Sequence, residues 1–245
     1  MSILAKQIRI EMILFLRNRQ NLFLTLAFPV MMILLFGAVF KDQIWGGVSS
    51  INFLVPGIVV MSLMMVCMNN NAVKIVDERT RGIYRRLFLT PLRRETLLLS
   101  NIVVRYLVTI VSALLVIAVG IGVYGADIEG SRFLFWLILT LGSLTFISLG
   151  FFLTSFAKNT SSVMTLCMAV LFAFMFLGGC FWPTEQLPES IMPLCKALPS
   201  YHLNAAFRMV VLQNAGGIDV IKELPVVIGW FVVSFILAVK FFKWE

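Results

Sequence analysis

Acid is scarce in this chain, and it is missing where membrane chemistry needs it. The 245 residues hold 12 Asp and Glu against 20 Lys and Arg, with a single histidine. No Asp, Glu, Lys, Arg or His interrupts any of six apolar runs, at 22–40, 53–73, 106–126, 133–157, 162–182 and 225–239. Enzymes that work inside a membrane need paired aspartates, a His-Glu-x-x-His zinc helix or a serine with a histidine partner at depth. Ion-driven secondary transporters rely on an intramembrane carboxylate or on broken helices around a midplane ion site. The enzyme patterns are absent, and the lack of any acid within the runs weakens the ion-driven class. The sequence also lacks Gly-x-x-x-x-Gly-Lys-Ser/Thr, which excludes P-loop nucleotide hydrolysis. Its four cysteines, Cys67, Cys167, Cys180 and Cys195, form no Cys-x-x-Cys or Cys/His metal spacing, so they are expected to be structural thiols and no metal is expected. A Cys180–Cys195 disulfide stays open as an alternative. His202, next to Tyr201, is expected to hydrogen-bond rather than to catalyse.

Long runs of apolar sequence are what the chain has instead. A hydrocarbon core about 30 Å thick takes about 20 apolar residues in a helix, the one single-segment structure that satisfies its own backbone there. None of the runs shows the polar face that a soluble amphipathic helix of that length would carry. The fold class is therefore all-α integral membrane, with six transmembrane helices and one domain over residues 1–245. Fifteen of the 20 basic residues fall before the first run, between the second and third, between the fourth and fifth, or after the sixth. The positive-inside rule then places both termini in the cytoplasm, and six spans give the matching parity. The excess of eight positive charges reads as topology and as attraction to anionic headgroups, with no nucleic-acid partner. Residues 1–20 are basic and amphipathic, with Ile8, Met12 and Phe15 on one face, as expected of an interfacial helix. The first apolar run is long enough to stay as an anchor rather than to be cleaved.

Two polar segments stand out. Residues 73–94 read VKIVDERTRGIYRRLFLTPLRR. Lys74 with Glu78 and Asp77 with Arg81 stand at i, i+4 and support a helix. Gly82 divides the stretch, Ile83 with Leu87 and Tyr84 with Phe88 make an apolar strip beside Arg85 and Arg86, and Pro91 stops it after Thr90. Further on, Pro183, Pro188, Pro193 and Pro199 prevent a continuous helix between the fifth and sixth runs. Broken backbone near a membrane persists only where it packs on protein or lines a cavity. Phe181, Trp182 and Tyr201 suit a headgroup-level belt there.

The stretches FLVPGIVVMSLM, ERTRGIYRRLFLTPLRR and FWPTEQLPESIMPLCKALPSYHLNAAFR together resemble the membrane subunits of ABC-2-type transporters, the permeases related in fold to the type V and ABCG group. Glu78, Arg79, Gly82, Arg85, Arg86, Leu87, Thr90 and Pro91 match the family's acidic-basic pair, Gly, basic-apolar stretch and Thr-Pro in order. The resemblance implies a cytoplasmic coupling helix at about 74–94 that docks a separate ATP-binding subunit. Asp77, Glu78, Arg79, Arg81, Gly82, Arg85, Arg86, Thr90 and Pro91 would form that interface, with Gly82 allowing close backbone approach. It implies further an outer pair of re-entrant helices at about 183–208, carrying Pro183, Pro188, Pro199 and Tyr201, and a second permease copy as homodimer or related heterodimer. ATP and Mg would be bound by the partner, and no cofactor by this chain.

In the family, spans two and five line the route. Here they carry Met61, Met65 and Met68, and Met164, Met168, Phe172 and Met175, soft apolar groups suited to varied ligands. The function expected from the resemblance is export of a hydrophobic or amphipathic substrate, such as a drug, antibiotic or lipid-like compound, across the cell membrane. Polysaccharide or sodium export within the family stays open at this point. Outside it, so do a non-transporting sensor or immunity protein and a passive channel.

Overall fold

Backbone amides in hydrocarbon have only one another to bond, so each apolar run closes into helix. The structure, a computed structural model, describes residues 3–41, 43–45, 47–87, 94–126, 130–184, 187–212 and 217–241. Helix α1 (Ile3–Arg17) breaks at Asn18, whose side chain accepts from the Asn21 N–H at 3.1 Å and caps α2 (Arg19–Phe40). A small antiparallel pair, β1 (Ile44–Trp45) and β2 (Val48–Ser49), turns the chain, with Ile44 opposite Ser49. A single rod follows, made of α3 (Ser50–Leu63), a π-helical stretch (Met64–Asn70) and α4 (Asn71–Thr80). Then come α5 (Ile83–Leu87), α6 (Arg94–Tyr124), α7 (Arg132–Thr154), α8 (Thr160–Leu177), α9 (Met192–Ala197), α10 (Pro199–Leu212) and α11 (Gly217–Phe241). Among the described residues, six helices are long and apolar enough to cross a membrane: Arg19–Phe40, Ser50–Thr80, Glu95–Tyr124, Arg132–Thr154, Thr160–Leu177 and Asp219–Phe241.

The rod is the centre of the bundle. Of its most apolar stretch 89% is buried, against 22% for each of the first and last spans, whose remaining surface faces outward. A helix apolar all round carries no polar face to orient it, so packing decides its place. Gly57, in the Pro-Gly pair of α3, shows how tight that packing is: a Cβ added there would lie 1.8 Å from the carbonyl oxygen of Cys180. Only glycine permits this approach.

The Pro-rich segment folds back into the bundle as α9 and α10, as expected of re-entrant helices. Leu203, Ala206 and Phe207 of α10 are fully buried. The segment is held by Ser200 Oγ donating to Phe174 O (2.9 Å), Asn204 Nδ2 donating to Gly178 O (2.9 Å) and Trp230 Nε1 donating to Ala197 O (2.8 Å). These bonds give the chain's interrupted backbone the partners that lipid cannot supply.

Candidate functional site: the coupling segment and its groove

The rod is longer than a bilayer requires. Its 31 residues extend about 46 Å at 1.5 Å per residue, whereas about 20 suffice to cross. The surplus lies at the charged end, on α4. There Lys74 Nζ stands 3.4 Å from Glu78 Oε1, and Arg81 Nε donates to Asp77 Oδ1 at 2.9 Å, the two i, i+4 pairs that the spacing predicts. Lys74 also donates to Glu11 Oε2 on α1, a partner 63 residues away. Tyr84 of α5 donates its hydroxyl to Glu78 Oε2 at 2.9 Å. Burial, and then the Glu78 carboxylate, push the Tyr84 phenol pKa up, so it stays a donor at any working pH. One lysine, two carboxylates and one phenol thus tie α1, α4 and α5 together.

Arg79 is turned inward. Its Nη2 donates to the carbonyl of Ala157 and, at 3.4 Å, to that of Thr154, capping the end of α7, where unpaired carbonyls and the helix dipole both favour a cation. Of the residues expected at a docking interface, Arg81, Arg85 and Arg86 point outward and are exposed. Asp77 is part-exposed beside Arg81, and Glu78 and Arg79 lie behind them. Thr90 and Pro91 are outside the described residues. Gly82 has a φ of +66°, and within the chain a Cβ there would meet nothing within 4 Å, so glycine here serves a left-handed turn. That turn ends α4 and sets the direction of α5.

The methionine stripe divides. Met61 and Met68 are 1% and 0% exposed and belong to the core, and Met175 is nearly as buried; these three are packing residues, contrary to the expected pathway role. Phe172 is exposed and stacks on Phe176, 6.3 Å between centroids. Met65, Met164 and Met168 do share one groove of about 470 Å³, between α1, α2, the rod and α8. Its wall is not free of charge as the stripe alone suggests: Glu11, Lys74, Asp77, Glu78 and Arg105 line it, with Asn69 and Asn70. The π-helical stretch ends on these asparagines, and Asn70 Nδ2 donates to Thr25 Oγ1 of α2 at 2.8 Å. Arg105, counted from sequence as a basic residue of the connection, is instead 4% exposed within α6.

At the other end, Pro183 and Pro199 are buried, Pro188 is exposed and Tyr201 is half-buried. His202 takes the hydrogen-bonding role expected of it, with Nδ1 2.6 Å from Glu223 Oε2 and Nε2 2.7 Å from Lys196 O. The Cys180–Cys195 disulfide does not form, since all four cysteines are free and buried. Burial pushes the Cys180 pKa up to about 11.

The sequence model of the ABC-2 type transporter family matches residues 7–212, a stretch that holds both the rod and the re-entrant segment. The chain belongs to the ABC-2 type transporter family. It is an all-α, multi-pass membrane protein. Among its relatives, ABC transporter G family member 20 of Dictyostelium discoideum is 24% identical over 191 residues, 77% of this chain and 26% of that protein. The inner membrane transport permease YhhJ of Escherichia coli (strain K12) is 25% identical over 177 residues, 71% of this chain and 45% of that one. The chain therefore spans a quarter to just under half of these two. A transport permease of Bacillus subtilis (strain 168), YvfS, is 25% identical over 244 residues, 97% of this chain and 96% of its own.

For this family member, sequence reasoning missed Glu11, Tyr84 and Arg105. Glu11 had a signal: it is the one acid among the first 20 residues and precedes Phe15 by four, on the face that packs inward. Arg105 had a weaker one, lying a single residue before an uninterrupted apolar run.

Proposed function

We propose that this chain is the permease half of an ATP-driven exporter in the cell membrane, with both termini cytoplasmic, working as a pair of permease copies with separate ATP-binding subunits. The cargo is an amphipathic molecule that enters from the coupling-segment end, and ATP and Mg belong to the partner. The observation that carries this reading is the rod. One continuous helix bears Met65 and Asn69 in the groove and, about 20 Å beyond Asn69 at 1.5 Å per residue, the turn at Gly82 that presents Arg81, Arg85 and Arg86. A push on that basic patch moves the groove wall directly. Lys74 passes the same motion to α1 through Glu11, and Arg79 passes it to the end of α7. Relatives named as an ABC transporter and as transport permeases support this division of labour.

The test is co-purification in mild detergent with the ATP-binding proteins of the same cell, comparing wild type with Arg81→Glu/Arg85→Glu and with Glu78→Ala. Charge reversal on the outward arginines is expected to abolish association, and loss of Glu78 to weaken it by freeing α5 from α4. A wild-type chain that captures no ATPase under any nucleotide condition overturns the reading in favour of a sensor or passive channel.

A further inference from the structure

Arg105 is a buried cation with donors to spare. It is 4% exposed, and neither Nε nor Nη1 has a hydrogen-bond partner. The Phe15 ring centroid lies 5.8 Å from its guanidinium carbon. Leaving a buried guanidinium donor unmade costs more than the net value of most hydrogen bonds, and a charge at membrane depth adds to that cost. The acids around it are already engaged: Glu11 and Glu78 by Lys74, Glu78 also by Tyr84, and Asp77 by Arg81. Arg105 lines the same groove as Met65, Met164 and Met168. The groove, about 470 Å³, falls within the roughly 300–1,000 Å³ of small-molecule sites.

We propose that Arg105 recognises the anionic head, carboxylate or phosphate, of an amphiphile whose alkyl chain lies along Met65, Met164 and Met168. The planar guanidinium offers a fork of donors matched to two oxygens of such a head, and the three thioether side chains adapt to the tail without demanding one shape. Two sources share this chemistry: a bilayer lipid seated in the groove, and a soluble amphiphilic anion taken up as cargo. The binding itself is independent of any ATPase. Only the step from binding to transport rests on the exporter reading above, which it narrows from amphipathic to anionic amphipathic cargo.

The experiment measures equilibrium binding of radiolabelled dodecyl phosphate to the full chain in phosphatidylcholine nanodiscs. Arg105→Gln is expected to weaken binding about tenfold to a hundredfold, the usual effect of losing charge-assisted hydrogen bonds, and Arg105→Lys to recover part of it by restoring charge without the fork. Dodecyltrimethylammonium, with the same tail and the opposite charge, is expected not to compete. Met168→Trp fills the groove without removing the cation and is expected to weaken binding as well. It carries the test should Arg105→Gln fail to fold. Equal affinity in the wild type and either Arg105→Gln or Met168→Trp overturns the proposal, as does equal competition by the cationic amphiphile. Repeating the wild-type measurement with phosphatidylglycerol in the nanodisc separates the sources: weaker dodecyl phosphate binding there identifies a bilayer lipid as the occupant, and unchanged binding identifies a soluble amphiphile. A chain that binds the anion yet associates with no ATPase retains this site and loses only the exporter reading.

Discussion

Replacing Lys74 with Met removes one charge and strands two. Glu11 and Glu78 both lean on its ammonium, and their side chains keep only 10% and 17% of their exposure, too little for water to take over. Breaking a buried pair by deleting one partner costs about 3–5 kcal/mol, because the other charge is left behind. The residual exposure puts Lys74→Met near the low end, about 3 kcal/mol. For a chain of this size each kcal/mol is worth about 2–4 °C, so the thermal midpoint of the detergent-solubilised protein is expected to fall by roughly 6–12 °C. The loss has a pH signature. Burial already raises the Glu78 carboxyl above its usual range, and the Lys74 charge opposes that rise; without Lys74 the folded state of the variant gains stability as pH falls and loses it as pH rises. The deficit is therefore smallest near pH 5 and full near pH 8. The triple variant Lys74→Met/Glu11→Gln/Glu78→Gln, which strands nothing, is expected to recover most of it. A Lys74→Met chain within 2 °C of wild type at both pH values would refute the network, and with it the tie between α1 and the rod.

Three further outcomes follow from the geometry. Gly57→Ala puts a methyl 1.8 Å from the Cys180 carbonyl oxygen and is expected to cost about 1–3 kcal/mol of overpacking, whereas Gly122→Ala, where nothing lies within 4 Å, costs nothing in the same melting experiment. At Gly82, with φ +66° and open space around it, conformation matters and size does not: Gly82→Asn is expected to retain ATPase co-purification and Gly82→Val to lose it, since a β-branched residue resists the left-handed region. Cys180, buried and raised to about 11, is expected to resist maleimide at pH 7.5 until the chain is denatured, because the reactive thiolate is scarce and shielded; labelling of the native protein within minutes would contradict its placement.

The spans were legible because hydrocarbon imposes one demand on every residue in them, and composition records it. The paired charges of α4 were legible for a related reason, since i, i+4 contacts are set by helix geometry alone. What sequence left undetermined depends on which helices meet. Met61, Met65 and Met68 sit on a helix apolar on every side, so nothing local separates the buried pair from the one that faces the groove. Glu11 finds Lys74 and Arg79 finds the end of α7 only after the bundle has closed. The left-handed turn at Gly82 was not legible, because a glycine in sequence does not say which of its freedoms the backbone uses. Arg105 was misplaced by a residue-by-residue division into apolar span and basic loop, when α6 runs without interruption from Arg94 through Tyr124.

The proposed coupling carries force to the groove through the basic end of the rod. Its most direct test is ATP-dependent accumulation of a fluorescent amphiphilic anion in inside-out membrane vesicles that contain the chain with its co-purifying ATPase. Wild type is expected to accumulate the dye on adding ATP, and Arg81→Glu/Arg85→Glu to bind it without accumulating it. Accumulation by that variant at the wild-type rate, or dye flux in the wild type that needs no ATP, would contradict the account.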